Sequence, residues 1–150
     1  MIIAGAEDGS ILVFDLNGDE NKVAGVVGAH SDKVGGVAIS RDDSKVVTVS
    51  NDSTAVLWDM AVLKDPEVNP KKPLHTFEEH SSPIHSADIH LSGKYLVTAS
   101  HDKTWRLWHL VKPYSLIYTN NESHDMSVRC CSFSPDGKYV ITGSKDKTIR

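Results

Sequence analysis

Cysteine is nearly absent: Cys130 and Cys131 are the two in the chain, and they are neighbours. Successive strand residues point to opposite faces, so a bridge between them is strained; the pair reads as reduced thiols, Cys131 in the core and Cys130 on the other face. Reduced thiols fit a cytosolic or nuclear setting. A basic surplus is missing too. The 16 Lys and Arg stand against 20 Asp and Glu, a formal net charge of -4, which leaves no electrostatic footprint for DNA or RNA. No apolar run reaches the roughly 18 residues a membrane-crossing helix needs. The start, MIIAGAEDGS, lacks the basic head and apolar core of a signal peptide. These absences predict an intracellular protein, cytoplasmic or nuclear, with no membrane span and no direct nucleic-acid partner.

What is present is a repeat. Counting from His30, His80 and His124, an apolar residue follows at the fourth place (Val34, Ile84, Val128) and at the ninth (Ile39, Ile89, Phe133). The eighteenth place holds Thr48, Thr98 or Thr142, and the twenty-second Asp52, Asp102 or Asp146. The twenty-eighth holds Trp58 or Trp108, while in the last unit it falls just past Arg150. With 39% hydrophobic and 24% charged residues, the chain has enough apolar material for one sizeable core.

Short Val- and Ile-rich runs bounded by turn formers predict strands throughout. The opening 1–16 reads as the back half of a repeat, with strands Ile2 to Ala6 and Ile11 to Leu16 around Asp8-Gly9-Ser10. A turn cluster, Asn17-Gly18-Asp19-Glu20-Asn21, leads to a strand at Lys22 to Val27. The unit 23–60 carries strands Val34 to Ser40, Lys45 to Ser50 and Thr54 to Met60, and the alternation of Val37 and Ile39 with Ala38 and Ser40 predicts one face more buried. Residues 61–73, with three prolines, interrupt the sheet pattern and predict an exposed insertion loop. The second unit spans 74–110. The last, 118–150, has strands Val128 to Ser134 and Tyr139 to Ser144 about Pro135-Asp136-Gly137.

The His-to-Asp-to-Trp spacing, the FSPDGKYVITGSKDKTIR ending and the strand ends Leu57-Trp58-Asp59 and Leu107-Trp108-His109 resemble WD40 repeats over nearly the whole chain outside the insertion. The copies are divergent: the family's Gly-His is Ala29-His30, Glu79-His80 and Ser123-His124 here, and Trp-Asp survives once. The resemblance implies an all-β partial β-propeller of about three four-stranded antiparallel blades, each repeat's first strand completing the previous blade. A ring of 4 to 8 such blades needs roughly 40 to 45 residues each, so the resemblance also implies a fragment, incomplete at both ends, whose ring requires further repeats.

The resemblance further implies buried hydrogen-bond networks of His30, Thr48, Asp52 and Trp58, of His80, Thr98, Asp102 and Trp108, and of His124, Thr142 and Asp146 without a Trp. In the opening half, Ala4 and Phe14 replace the Thr and Trp beside Asp8, and no network is expected. His, Asp and Thr together resemble a catalytic arrangement, but chemistry needs one constellation, and this one recurs in each repeat. Metal binding by His75, His80, His85 and His90 fails on strand geometry: five residues at about 3.3 Å each separate His85 from His90 by roughly 16 Å. Neither cofactor nor metal is expected.

Function is then expected at the surface, as a non-catalytic scaffold or adaptor for proteins or peptides. By resemblance, the exposed rim positions are Lys33, Gly35 and Asn51, then Pro83, His85 and His101, then Ser127, Arg129 and Lys145, with Glu7 from the opening half. Arg129 and Lys145 side by side would accept a carboxylate or phosphate. Alternatives are a substrate-recognition subunit of a ubiquitin ligase and a propeller enzyme. The Trp-Asp-x-Arg signature of ligase docking is missing from Trp58-Asp59-Met60-Ala61 and Trp108-His109-Leu110-Val111, and no non-repeating acid–base residues stand out for an enzyme.

Overall fold

The computed structural model describes residues 2–14, 23–26, 28–65, 67–68, 71–122 and 124–150, with the backbone alone for 23–26. The turn cluster at 17–21, the strand ends at Leu16, Lys22 and Val27, and Ser123 lie outside the described residues. The described residues form thirteen strands in four antiparallel sheets. The first sheet holds β1 (Ile2–Gly5), β2 (Ile11–Phe14) and β3 (Val23–Val26). The second holds β4 (Val34–Ile39), β5 (Lys45–Ser50), β6 (Ala55–Asp59) and β7 (His75–Phe77). The third holds β8 (Ile84–Ile89), β9 (Tyr95–Ser100), β10 (Trp105–His109) and β11 (Ser115–Asn120). The last pairs β12 (Val128–Phe133) with β13 (Val140–Ser144), extended by a bridge from Gly143 to Ile149. In the second and third sheets the outermost strand, β7 or β11, is the one that immediately precedes the next unit's His. The described sheets do not close into a ring.

β5 and β9 show why the sequence folds this way. Both are buried on both faces after their first residue, and from there their sequences, VVTVS and LVTAS, carry unbroken apolar or small residues, as strands between packed layers do. Val47 and Val49 enter a cluster with Leu57, Phe77, Leu96 and Trp108 between the second and third sheets. Val46, on the other face, joins Ile11, Val13, Val56 and Trp58 against the first sheet. Val97 and Ala99 meet Val128 and Cys131 from the last pair. Innermost strands lie side by side in the order β1, β4, β8, β12.

Tight approach sets some residues. A Cβ at Gly9 would sit 2.2 Å from the His30 carbonyl oxygen, and Gly9 also has φ +81, so glycine alone fits. The equivalent turn residues, Ser53, Lys103 and Lys147, hold φ 72, 72 and 69 although they carry side chains.

One expectation is corrected and one is made specific. The insertion does not begin as a loop: Met60–Lys64 form a short helix, α1, capped by Asp59 Oδ1 accepting from the Ala61 N–H at 2.8 Å. Its Leu63 is fully buried in one cluster with Ile11 of β2 and Trp58 of the preceding strand, packing that stabilises a helix too short to persist alone. In β4, Ala38 is 8% exposed and Ile39 39%, so the buried side is that of Ala38 and Ser40. Ser40 is buried because its hydroxyl donates to Asp42 at 2.7 Å and accepts from the Lys45 N–H at 2.9 Å, closing the turn.

Candidate functional site

The repeated polar residues come together in chains of directed hydrogen bonds. In the second sheet, Trp58 Nε1–H donates to Thr48 Oγ1 at 3.0 Å, Thr48 Oγ1 lies 2.8 Å from His30 Nε2, and His30 Nδ1 lies 3.0 Å from Asp52 Oδ2. An indole N–H only donates and a carboxylate only accepts. The proton order follows: Nδ1–H donates to Asp52, the Thr48 hydroxyl donates to Nε2, and the hydroxyl oxygen accepts from Trp58. The third sheet repeats the chain through Trp108, Thr98, His80 and Asp102 at 2.9, 2.8 and 2.7 Å. In the last pair His124 spans Asp146 and Thr142 at 2.9 Å each, and Thr142 lines an open cleft of about 650 Å³ with Trp105, Tyr118, Val140 and Arg150.

Two further positions in each chain, not among the predicted residues, complete it. Thr54, Thr104 and Thr148 donate backbone N–H and hydroxyl to the second oxygen of Asp52, Asp102 and Asp146 at 2.6 to 3.0 Å. Ser50, Ser100 and Ser144 donate to loop carbonyls of Asp32, of Ser82 and Pro83, and of Met126 and Ser127. Their signal was available: Ser stands twenty and Thr twenty-four residues after the His in all three units.

Burial raises the Asp102 carboxyl, but hydrogen bonds from His80 and Thr104 outweigh it and hold the group well below the usual carboxylate range. Burial likewise works against Asp52, and the Thr54 hydroxyl and the Thr54 and Ser31 N–H groups bring it down. Asp146 is lowered chiefly by the Thr148 hydroxyl. Burial pushes the His80 imidazole down. The third sheet thus holds a neutral ring against an ionised carboxylate. Both ring nitrogens are engaged and the ring is buried, so the group has no free lone pair to offer a substrate.

The remaining histidines fall into unrelated surroundings. His75 packs on Phe77 and Tyr114 with centroids at 4.6 and 4.9 Å. His90 Nε2 lies 3.1 Å from the Gly137 carbonyl. Cys131 is buried, which pushes its thiol up to about 12, and Cys130 is exposed.

The rim positions form three backbone-linked pairs. Asn51 N–H donates to the Lys33 carbonyl at 2.9 Å, His101 N–H to that of Pro83 at 2.8 Å, and Lys145 N–H to that of Ser127 at 3.0 Å. The other position, Gly35, His85 or Arg129, is in every case the bulged residue of its unit's first strand, where the register shifts against the second. A bulge re-aims a side chain out of the pleat. Lys33 reaches across to Glu7, Nζ to Oε1 at 3.1 Å. Ser127 departs from expectation: it is 5% exposed, a small side chain under a carbonyl that accepts from both Lys145 N–H and Ser144 Oγ. Arg129 turns to the neighbouring sheet, with Nη1 3.1 Å from His85 Nε2, and His85 faces His101 with centroids at 5.9 Å.

Antiparallel sheets that take their outer strand from the start of the next unit, with a buried His–Asp–Thr chain recurring in three units, define a repeat protein of the β-propeller class. The chain belongs to the WD40 family: the model of the WD domain, G-beta repeat, matches residues 21–59, 71–109 and 115–150. It is similar to Pre-mRNA-processing factor 19 homolog 2 of Arabidopsis thaliana, 26% identical over 90% of this chain and 24% of that protein. The DDB1- and CUL4-associated factor 11 homolog of Caenorhabditis elegans is 28% identical over 74% of this chain and 19% of its own length. Nuclear distribution protein PAC1 of Tuber melanosporum is 31% identical over 60% of this chain and 18% of its own. The chain spans about a quarter or less of the length of these relatives.

Proposed function

We propose that this WD40 segment is a non-catalytic scaffold that holds other proteins or their peptides in an intracellular assembly, and that its recognition surface is the rim of Lys33, Asn51, Pro83, His85, His101, Arg129 and Lys145. Family membership and the relatives' names support a protein-interaction role within the cell. The observation that carries the choice of surface is the recurrence of the bulge: three units aim the same position, Gly35, His85 or Arg129, out of the first strand while varying its chemistry. The His, Asp and Thr of the buried chains beneath recur in all three units. A fixed frame with variable exposed positions is how a repeat fold acquires a particular partner.

The test compares two charge-reversed chains of equal net charge in affinity capture: Lys33→Glu with Arg129→Glu on the rim, against Lys64→Glu with Lys94→Glu elsewhere. The rim pair is expected to lose the proteins the unaltered chain captures, and the other pair to keep them. Identical capture by both would overturn the assignment. A ligase-subunit role is the second reading, favoured by the likeness to the DDB1- and CUL4-associated factor 11 homolog; co-purification of a ubiquitin ligase core with the unaltered chain tests it.

A further inference from the structure

We propose that His85, His101 and Arg129 form a receptor for an oxyanion on a partner peptide, and that capturing the anion takes up a proton at His85 Nε2. This rests on the rim being the recognition surface and adds what it recognises. The three groups come from different elements: His85 from β8, Arg129 from β12 of the next sheet, and His101 from the turn between β9 and β10. Arg129 Nη1 lies 3.1 Å from His85 Nε2, and the two imidazoles face each other at 5.9 Å. β4, packed on the other side, offers no charge, because its residues against the His85 backbone are Gly35 and Gly36.

Charge separates this junction from the one before it. Lys33 is already paired with Glu7 at 3.1 Å. Among the described residues, no carboxylate lies within 4.0 Å of the cationic atoms of Arg129 or Lys145. Arg129 instead donates an N–H to the neutral lone pair of an imidazole, a weaker acceptor for a guanidinium than an oxyanion.

That contact fixes the ring proton on His85 Nδ1, since Nε2 must accept. Burial, then Arg129, then His101 disfavour the charged ring. An oxyanion entering between the two side chains takes the Arg129 N–H for itself and presents a second lone pair to Nε2. A proton drawn from solvent onto Nε2 converts that atom from acceptor to donor and satisfies the second lone pair. No covalent bond to the ligand forms, and each ring that is neutral in the free protein and charged in the complex takes one proton from solvent. Because the bound anion favours the protonated ring, affinity rises as pH falls through the titration of His85 in the complex, and levels off below that of the free protein.

The test follows the His85 ¹³Cε1 resonance of the full chain from pH 5 to 8 with N-acetyl-phosphoserine amide, N-acetyl-glutamate amide, N-acetyl-cysteate amide or N-acetyl-serine amide. Cysteate keeps a fixed charge over this range, so a shift it causes belongs to the protein. With cysteate, and with whichever of the phosphoryl or carboxylate probes matches the natural source, the His85 midpoint is expected to rise by about one pH unit, equivalent to about tenfold tighter binding to the protonated ring. The neutral serine probe should leave it unmoved. Arg129→Gln should abolish the rise with backbone amide shifts unchanged elsewhere, and His85→Gln should bind cysteate without pH dependence. A midpoint unmoved by all three anions, or a rise that persists in Arg129→Gln, overturns the proposal. The rim assignment is judged separately by the capture experiment, and would survive loss of the anion site.

Discussion

The third sheet and the last strand pair share a His–Asp–Thr chain but live in different surroundings. His80 and His124 reach their Asp and Thr partners at distances within 0.2 Å of one another. Yet Val97 of β9 is 0% exposed while Ile141, at the same offset in β13, is 51% exposed. The hydrogen bonds of His124 are drawn from the loop before β12, from β13 and from the turn that follows it, all of which the last unit possesses. Burial depends on a third strand and on a neighbouring sheet, and in the third sheet Trp108 fills the space against Leu57 and Phe77. The polar chain is therefore a local product of its repeat, whereas the apolar core is a property of stacked repeats.

The comparison breaks most sharply at Trp108. Trp108→Ala should destabilise the chain by about 3–5 kcal/mol through the cavity left between sheets, read as a lowered urea midpoint. If the local view of the polar chain holds, the His124 ring in the same variant keeps its contacts, and its NMR signals stay unmoved.

A smaller loss is expected on cutting the polar chain. Asp102→Ala orphans the His80 Nδ1–H and the Ser81 N–H, which Asp102 Oδ2 now accepts, at a cost of about 1–3 kcal/mol for a buried donor. Asp146→Ala removes the matching acceptor from His124 and Asp125, and should cost less, since the open cleft beside Thr142 offers the loosened ring water as a substitute partner. Equal losses in denaturation would show that the third strand adds nothing to the value of the chain.

Acidification should separate the ring from the carboxylate. The His80 pKa is lowered in the fold, so the unfolded chain binds the proton first, and its contribution to stability declines as pH falls below about 6.5, the ordinary histidine value. Asp52, Asp102 and Asp146 are also lowered. Their contribution is complete above the unfolded carboxyl value and is lost only as pH falls through their folded ones. Melting followed from pH 8 to 3 should show a first decline near neutrality that His80→Gln removes, and a second in acid that it leaves in place.

Much of this was legible in the sequence because the period repeats every side chain that the architecture reuses. His80, Thr98, Asp102 and Trp108 could be grouped by offset alone, and the structure brings these four within hydrogen-bond distance in sequence. Ser100 and Thr104 recur just as regularly, but serine and threonine at a strand end also serve as ordinary turn residues, which hid them. Helix α1 was illegible for a different reason. Its five residues carry little periodicity, and Leu63 is held by Ile11 and Trp58, contacts that no local pattern announces. Ser127 was placed on the surface by its offset, but the offset fixes the backbone, and a side chain this short stays beneath it. The partnership of Arg129 with His85 crosses between sheets, so it depends on how repeats stack rather than on the repeat itself.

The smallest effect asks whether the turn is as local as the polar chain. Lys103 and Lys147 hold φ 72 and 69 at the place where the opening sheet has Gly9. A left-handed conformation costs an ordinary residue about 1–2 kcal/mol, and glycine gives back roughly 0.5–1 kcal/mol in extra unfolded-state freedom. Lys103→Gly should therefore stabilise the chain by about 1 kcal/mol or less. Lys147→Gly should do the same within error, although its unit is the more exposed, because the strain resides in one backbone torsion and not in packing. Matched shifts in the denaturation midpoint would place the turn with the hydrogen bonds among the locally determined features; a gain at Lys103 alone would mean that the neighbouring sheet also holds the turn in place.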